Sequence, residues 1–192
     1  MTTIGTALST SLDGFIADTD GRAAGLHDWL MDGDVSPRFN PSFRMAKRSA
    51  EFFDQGVGGT GAVIAGRTTY DVSEAWGGRG PLPGLPLFVV THRAPEVVPA
   101  GNPRYTFVTD GVEAAIGQAR AAAGEKNVHL MGASIVQQSL RAGLLDELVI
   151  SLVPIVLGRG VRLLDGLEPG KFAVVGVVDA PGVTHLTYRV MR

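Results

Sequence analysis

The chain contains no cysteine among its 192 residues. Without thiols it forms no disulfide, offers no thiolate to a metal ion and has no cysteine nucleophile. Three of its four histidines, His27, His129 and His185, also lack the spacing of a metal-binding helix such as HExxH. We therefore assign these histidines structural roles and predict no metal site.

An excess of basic charge and long hydrophobic runs are missing as well. The chain has 17 Lys and Arg and 19 Asp and Glu, which gives a net charge of −2. A nucleic-acid-binding domain, in contrast, needs a basic patch. No apolar run is long enough to cross a membrane, and the first residues show neither the basic segment nor the apolar stretch of a signal peptide. We expect no nucleic-acid partner, no membrane partner and a cytoplasmic location.

What is present is the composition of an ordinary globular protein. Hydrophobic residues make up 45% of the chain and charged residues 19%, which is not the composition of a disordered segment. A chain of this length can bury one sizeable core, and nothing in it demands a second. We predict a single domain over residues 1–192.

The segment GAVIAGRTTY, residues 61–70, is typical of a strand that turns into a helix. Residues 62–65 are a short apolar run suited to a buried strand, and Gly66 permits a sharp turn. Thr68 or Thr69 would cap a helix that runs toward Trp76. The guanidinium of Arg67 suits a phosphate, although an ordinary corner with a solvated arginine explains this segment equally well.

Two further apolar segments, 87–90 and 128–131, end in the same way. The first leads into Thr91-His92-Arg93, and the second into Gly132-Ala133-Ser134, which opens a predicted helix to residue 141. In parallel sheets ligands lie at the carboxyl ends of strands, so we expect the three ends to meet at one phosphate-binding crevice.

Two other glycine-containing segments match a known motif only in part. Residues 56–61 match the dinucleotide pattern GxGxxG but precede a strand instead of following one, so we predict a flexible connection there. GASIV, residues 132–136, lacks the final glycine of a nucleophile elbow, and no nucleophile–base pair suggests a hydrolase.

The order of the elements predicts an α/β fold with a mixed, mostly parallel eight-stranded sheet flanked by helices. The last two strands form an antiparallel hairpin. The predicted strands are residues 4–9, 62–65, 87–90, 105–108, 128–131, 147–156, 172–178 and 183–190, and the predicted helices are residues 41–55, 68–76, 112–123 and 132–141. A long loop covers residues 18–40.

An ordered set of motifs spans almost the whole chain. It consists of SLDGFIA (11–17), AGRTTY (65–70), VVTHR (89–93), LMGASIVQQSL (130–140) and LLDELVISLVPIVLGRGVRLL (144–164). With this set the chain resembles dihydrofolate reductase-like proteins, in particular the reductase domain of the bifunctional riboflavin-biosynthesis deaminase–reductase and its stand-alone relatives. The resemblance implies a single domain of that type and an NADPH-dependent reductase. Its substrate would be a small heterocyclic compound, ribosylamino-pyrimidine-like or pterin-like, that takes a hydride from the nicotinamide.

The resemblance also implies a set of NADPH-binding residues. Arg67 and Thr68, beside Gly66, would hold the phosphates. The 2′-phosphate of the adenosine ribose would meet Thr91, His92 and Arg93, and the pyrophosphate and nicotinamide side would meet Gly132, Ala133, Ser134, Ile135 and Val136. Ser9 and Ile16 would flank the nicotinamide, and Asp13, in the loop that closes over it, is the candidate catalytic residue.

The chain departs from this family in ways that leave alternatives open. Where dihydrofolate reductases carry an acid on their first helix, this chain has Arg44, Lys47 and Arg48. Asp13 is as well explained as a turn residue beside Gly14. The alternative function is a non-catalytic NADP(H)-binding protein that acts as a sensor or scaffold.

The apolar segment 148–156 and the closing hairpin leave the oligomeric state open. The resemblance implies a homodimer that pairs through such strands, and burial of the whole run inside one subunit is equally consistent with the sequence.

Overall fold

The computed structural model describes residues 2–100 and 105–192 of the chain. Within these residues the strands are β1 Ile4–Ser11, β2 Phe15–Ala17, β3 Thr60–Gly66, β4 Leu87–Val90, β5 Tyr105–Val108, β6 Asn127–Met131, β7 Glu147–Val153, β8 Val161–Arg162, β9 Phe172–Ala180 and β10 Val183–Val190. The α-helices are α1 Lys47–Gly58, α2 Arg67–Val72, α3 Gly111–Ala123 and α4 Ala133–Arg141. Short 3₁₀ helices cover Asp28–Leu30 and Glu74–Gly78. None of these helices combines the length and the apolar character that a membrane crossing requires.

Eight of the strands form one mixed sheet in the order β5-β4-β3-β6-β1-β7-β10-β9. β5, β4, β3, β6 and β1 pair in parallel, and β10 pairs antiparallel with both β7 and β9. β2 and β8 form a separate antiparallel pair. The predicted fold class, a mostly parallel eight-stranded sheet with a closing hairpin, is therefore confirmed.

The first of two compact units contains the described residues up to Thr6 and Thr60–Asp146. Its core forms around β3 and β4, where Val63, Ala65, Leu87 and Val89 are buried together with Tyr70 of α2. Because β4, β3 and β6 are parallel neighbours, their carboxyl ends lie at the same edge of the sheet.

The second unit contains Ala7–Gly59 and Glu147–Arg192. Its hairpin of β9 and β10 pairs with β7, and α1 packs against β9. Leu26 of the long loop is fully buried against Val153, Ala180 and Val183. The loop is therefore held on the core of this unit. The division into two units does not test the predicted single domain, which stays a prediction.

The first helix begins later than predicted. The sequence predicts residues 41–55, but the helix runs over Lys47–Gly58, so the start at Pro41 is wrong. Met45 is fully buried and forms an isolated antiparallel bridge with Val35, and the N–H of Arg44 donates to the carbonyl of Leu30 at 2.9 Å. These distant partners hold the backbone of residues 44–45 outside the helix.

The predicted flexible connection over residues 56–61 is also wrong. Its first three residues are the end of α1, Gly59 caps that helix, and β3 begins at Thr60. Gly61 has no room for a side chain, since an added Cβ would lie 2.7 Å from the carbonyl oxygen of Ala123. Gly61 therefore permits close packing of β3 against the end of α3.

The second helix starts one residue before the predicted threonine caps. Gly66 is the N-cap, so the predicted cap at Thr68 or Thr69 is wrong, and the helix ends at Val72. Trp76 lies in the following 3₁₀ segment, where five consecutive residues, Glu74–Gly78, have positive φ.

The strand predicted to reach residue 156 ends at Val153, just before Pro154. Leu148, Val149 and Val153 are buried within the chain. The exposed valines of the closing hairpin lie on β9 instead, at positions 174, 175 and 177.

Candidate functional site

Arg67 ties the start of α2 to the segment that follows β4. Its Nε donates to both carboxylate oxygens of Asp71, each at 2.8 Å, one turn along the helix. Its Nη1 donates to the carbonyl oxygen of Arg93 at 2.7 Å and approaches Thr91 Oγ1 at 3.4 Å. The guanidinium is therefore held in one orientation by groups from two elements.

Thr91 fixes the backbone of this segment. Its buried hydroxyl donates to the carbonyl of Arg93 at 2.8 Å and accepts from the Arg93 N–H at 3.3 Å. The side chain of Arg93 is exposed and lies 3.2 Å from Glu96, and His92 is exposed. Arg67, Thr91 and Arg93, predicted from separate motifs, thus lie in direct contact.

Gly132 forms a close contact between α4 and α2. It is the N-cap of α4 with φ +95° and ψ 144°, a conformation that suits glycine. An added Cβ would lie 2.4 Å from Thr69 Oγ1, and a Cβ on Gly66 would meet Ile135 at 3.3 Å. The first turns of α2 and α4 therefore pack closely against each other because Gly66 and Gly132 have no side chains.

The first turn of α4 supplies the other predicted binding residues. Ala133, Ile135 and Val136 are buried and anchor the turn, whereas Ser134 accepts a hydrogen bond from Gln138 at 2.9 Å. The first N–H groups of a helix have no carbonyl partner within it, so this turn presents hydrogen-bond donors. Thr68 is exposed at the start of α2.

The second unit contains Asp13, whose carboxylate is fully engaged. Oδ1 accepts from Ser11 Oγ at 2.6 Å and from the N–H of Leu157 at 3.1 Å, and Oδ2 accepts from the N–H of Gly158 at 2.7 Å. The Ser11 hydrogen bond first, and then the two backbone donors, hold the pKa of Asp13 at about 2. An ionised carboxylate with these partners fits an anchor for the turn, and the catalytic role of Asp13 stays a prediction.

Ser9 is buried and accepts a hydrogen bond from Trp29 Nε1 at 3.0 Å. Ile16, in β2, is half-buried. Both lie in the second unit, and their predicted roles beside the nicotinamide stay predictions. The partnership of Ser9 with Trp29 is not predictable from the sequence, because the intervening loop has no regular pattern.

A buried histidine joins three elements of this unit. His185 of β10 is fully buried, with Nδ1 2.9 Å from Ser151 Oγ in β7 and Nε2 3.0 Å from Ser49 Oγ in α1. Its ring stacks on Phe52 at 4.6 Å and meets the edge of Trp29 at 5.0 Å. The structural role predicted for His185 thus has specific partners.

Stability should fall as the pH drops from about 6.5 to 4. Burial lowers the pKa of His185 from 6.5 to about 4, so below pH 6.5 the unfolded chain takes up a proton that the folded chain refuses. The lowered pKa of His185 reduces the free energy of unfolding by roughly 3 kcal/mol at pH 4. Urea unfolding at pH 7.0 and 4.5 measures it, in wild type and His185→Gln.

His129→Gln is the matched control, because desolvation lowers the pKa of His129 to about 4 as well. Each variant should lose only the part of the pH dependence of the unfolding free energy that its own histidine causes. The stabilisation from the lowered pKa of Asp13 is present above its ordinary pKa of 3.8 and is lost mainly below it, so Asp13 adds little to the pH dependence in this window. The same pH slope in wild type and His185→Gln would contradict the assignment.

In the part of the chain that the structure describes, no cluster of three His, Asp or Glu side chains could hold a metal ion.

A protein-family model described as the RibD C-terminal domain matches residues 2–184. A curated protein of Bacillus subtilis (strain 168), the uncharacterised YwjB, is 25% identical in an alignment of 165 residues that covers 83% of this chain and 81% of YwjB.

Two solved structures resemble this one over the whole chain. A putative riboflavin biosynthesis protein from Shewanella sp. PV-4 has a TM-score of 0.78 and 26% identity, with 100% of each chain covered. A diaminohydroxyphosphoribosylaminopyrimidine deaminase/5-amino-6-(5-phosphoribosylamino)uracil reductase from Thermotoga maritima has a TM-score of 0.64 and 17% identity. That match covers 99% of this chain and 57% of the Thermotoga chain, and at this identity it shows a shared fold.

Proposed function

Since the chain belongs to the RibD C-terminal domain family, we propose that it is an NADPH-dependent reductase of a small heterocyclic substrate, ribosylamino-pyrimidine-like or pterin-like. The solved structure from Thermotoga maritima supports this substrate class, because its name includes a phosphoribosylaminouracil reductase. The observation that carries the proposal is the contact between Arg67, Thr91 and the Arg93 backbone at the sheet edge where Gly132 opens α4.

NADPH fits the residues at this edge in shape and charge. The donors in the first turn of α4 suit a pyrophosphate, and the absent Cβ of Gly132 lets this turn lie close to Thr69 of α2. Arg67 and Arg93 suit the 2′-phosphate that distinguishes NADPH from NADH. Thr68, exposed beside Arg67, can add a hydroxyl donor. When bound, the cofactor supplies the hydride, and the protein binds and orients it.

Proton supply is the open step of the proposed reduction. Asp13 has a pKa of about 2 and three donors on its carboxylate, so it suits orienting the turn better than giving up a proton. This supports a second candidate, a non-catalytic NADP(H)-binding sensor or scaffold. A screen of pyrimidine and pterin substrates that follows NADPH absorbance separates the two, since only the reductase oxidises the cofactor.

Arg67→Ala should weaken NADPH binding about ten- to a hundredfold and change NADH binding little. A charge-assisted hydrogen bond contributes roughly 1.5–3 kcal/mol, and the orientation of Arg67 is already fixed by Asp71 and the Arg93 carbonyl. Arg93→Ala should cost less, because that side chain is exposed. Fluorescence titration with both nucleotides measures these changes.

The matched control is Arg120→Ala, which removes an exposed arginine from the last turn of α3. It should bind both nucleotides as wild type does. Equal losses of NADPH and NADH affinity in Arg67→Ala would remove Arg67 from the 2′-phosphate site.

We also propose that the protein forms a homodimer through β9. This strand is the last in the sheet order, and three of its valines, at positions 174, 175 and 177, are exposed. Apolar side chains on an edge strand favour association with a second copy. Light scattering at micromolar concentration tests this, and a monomer there would end the proposal.

A further inference from the structure

Both arginines of the candidate 2′-phosphate site are already paired with carboxylates of their own chain. Arg67 Nε lies 2.8 Å from Asp71, and Arg93 Nη2 lies 3.2 Å from Glu96. The two pairs differ in exposure. The side chains are 36% and 50% exposed in the first pair, and 84% and 85% in the second.

The Asp71 carboxylate sits on one edge of the Arg67 guanidinium. Nε donates a hydrogen bond to Asp71, and Nη1 donates to the Arg93 carbonyl and approaches Thr91. Among the described residues Nη2 has no acceptor, which leaves this nitrogen to meet a phosphate. Nη2 lies on the same side of the guanidinium as the Nε–H, so an anion there would lie beside the Asp71 carboxylate, at a distance where like charges repel.

We propose that Asp71 determines cofactor specificity: its carboxylate offsets the charge of Arg67 and thereby lowers the preference for a dinucleotide with a 2′-phosphate. This inference rests on the proposed function. The 2′-phosphate is the group that separates NADPH from NADH, so a negative charge beside Arg67 acts on their affinity ratio and not on the shared parts of the two cofactors.

Orientation and charge are separable at this position. Asn has nearly the shape of Asp and keeps an oxygen that can accept from Arg67 Nε, so Asp71→Asn removes the charge and leaves the orientation. Asp71→Ala removes both. Glu96→Gln makes the same charge change in the exposed pair, where solvent screens the interaction.

The experiment titrates the full chain and these three variants with NADPH and NADH, following binding by calorimetry. Adenosine 2′,5′-bisphosphate and 5′-AMP serve as a second pair of probes that isolates the 2′-phosphate. Asp71→Asn should tighten NADPH and the bisphosphate about two- to fivefold and change NADH and AMP less than twofold. The gain should shrink at 0.5 M salt, and Glu96→Gln should change every probe less than twofold.

The outcomes separate this inference from the function on which it rests. If wild type binds none of the probes, the proposed function fails, and the specificity role fails with it. If wild type binds NADPH and Asp71→Asn leaves the NADPH-to-NADH ratio unchanged, the specificity role alone is overturned. If Asp71→Asn and Asp71→Ala both weaken NADPH, Asp71 supports Arg67 instead of opposing the phosphate. Melting temperatures confirm that the variants are folded.

Discussion

Val153→Lys should leave the protein unfolded at 25 °C. Val153 is only 5% exposed and packs with Leu26, Ala180 and Val183 in the core of the second unit. An ammonium group placed there has no partner, and an unpaired buried charge costs several kcal/mol. Domains of this size are stable by about 5–15 kcal/mol in total. Circular dichroism and a thermal melt measure the loss.

Val156→Lys is the matched control, because the same change three residues further along the chain falls on a side chain that is 69% exposed. This variant should melt within a few degrees of wild type. A separate variant, Val177→Lys on β9, should scatter light as a monomer if the proposed homodimer uses that strand. A folded Val153→Lys with the wild-type melting temperature would show that Val153 does not lie in the core.

The central strands were predictable because each is a local signal. β3, β4 and β6 are short apolar runs, each followed by Gly, Thr or Arg, and the structure has them within two residues of the predicted bounds. β5 and the start of α4 followed from the same patterns. Parallel neighbours then bring the predicted phosphate-binding residues of the first unit to one sheet edge without further information.

The errors in the helices came from contacts that a local pattern does not carry. The start of α1 depends on the bridge between Met45 and Val35, while residues 41–46 alone have an acceptable helical pattern. At α2 two threonines offered good caps, yet the turn is made by Gly66 with no side-chain cap. Backbone packing against Ile135 decided that position.

The chemistry of the site residues depended still more on distant partners. Asp13 resembles a turn residue or an acid in the sequence, but its two backbone donors come from residues 157 and 158. The partners of His185 lie 34 and 136 positions away in the chain. Asp71 was within reach of sequence analysis, since it stands four residues after Arg67, the spacing of an ion pair on a helix.

Gly132→Val should abolish NADPH binding and lower the melting temperature. Gly132 has φ +95° and ψ 144°, a region that side-chain-bearing residues avoid at a cost of about 1–3 kcal/mol. A Cβ would also lie 2.4 Å from Thr69 Oγ1, and the two methyl groups of valine would extend beyond it. If the pyrophosphate lies against this backbone, the same methyl groups would occupy its place. Calorimetric titration should then show a loss of more than about a hundredfold, equivalent to over 2.7 kcal/mol.

The single variant Gly132→Ala and the double variant Gly132→Ala/Thr69→Ala together distinguish backbone strain from blocked NADPH binding. Removing the Thr69 hydroxyl relieves the contact at 2.4 Å and should restore part of the melting temperature. If the pyrophosphate also lies against this backbone, NADPH binding should stay weak in the double variant. Gly117→Ala is the control glycine substitution, since a Cβ there meets nothing within 4 Å, and it should bind normally and melt slightly higher. Wild-type affinity in a folded Gly132→Val would place the dinucleotide elsewhere on the chain.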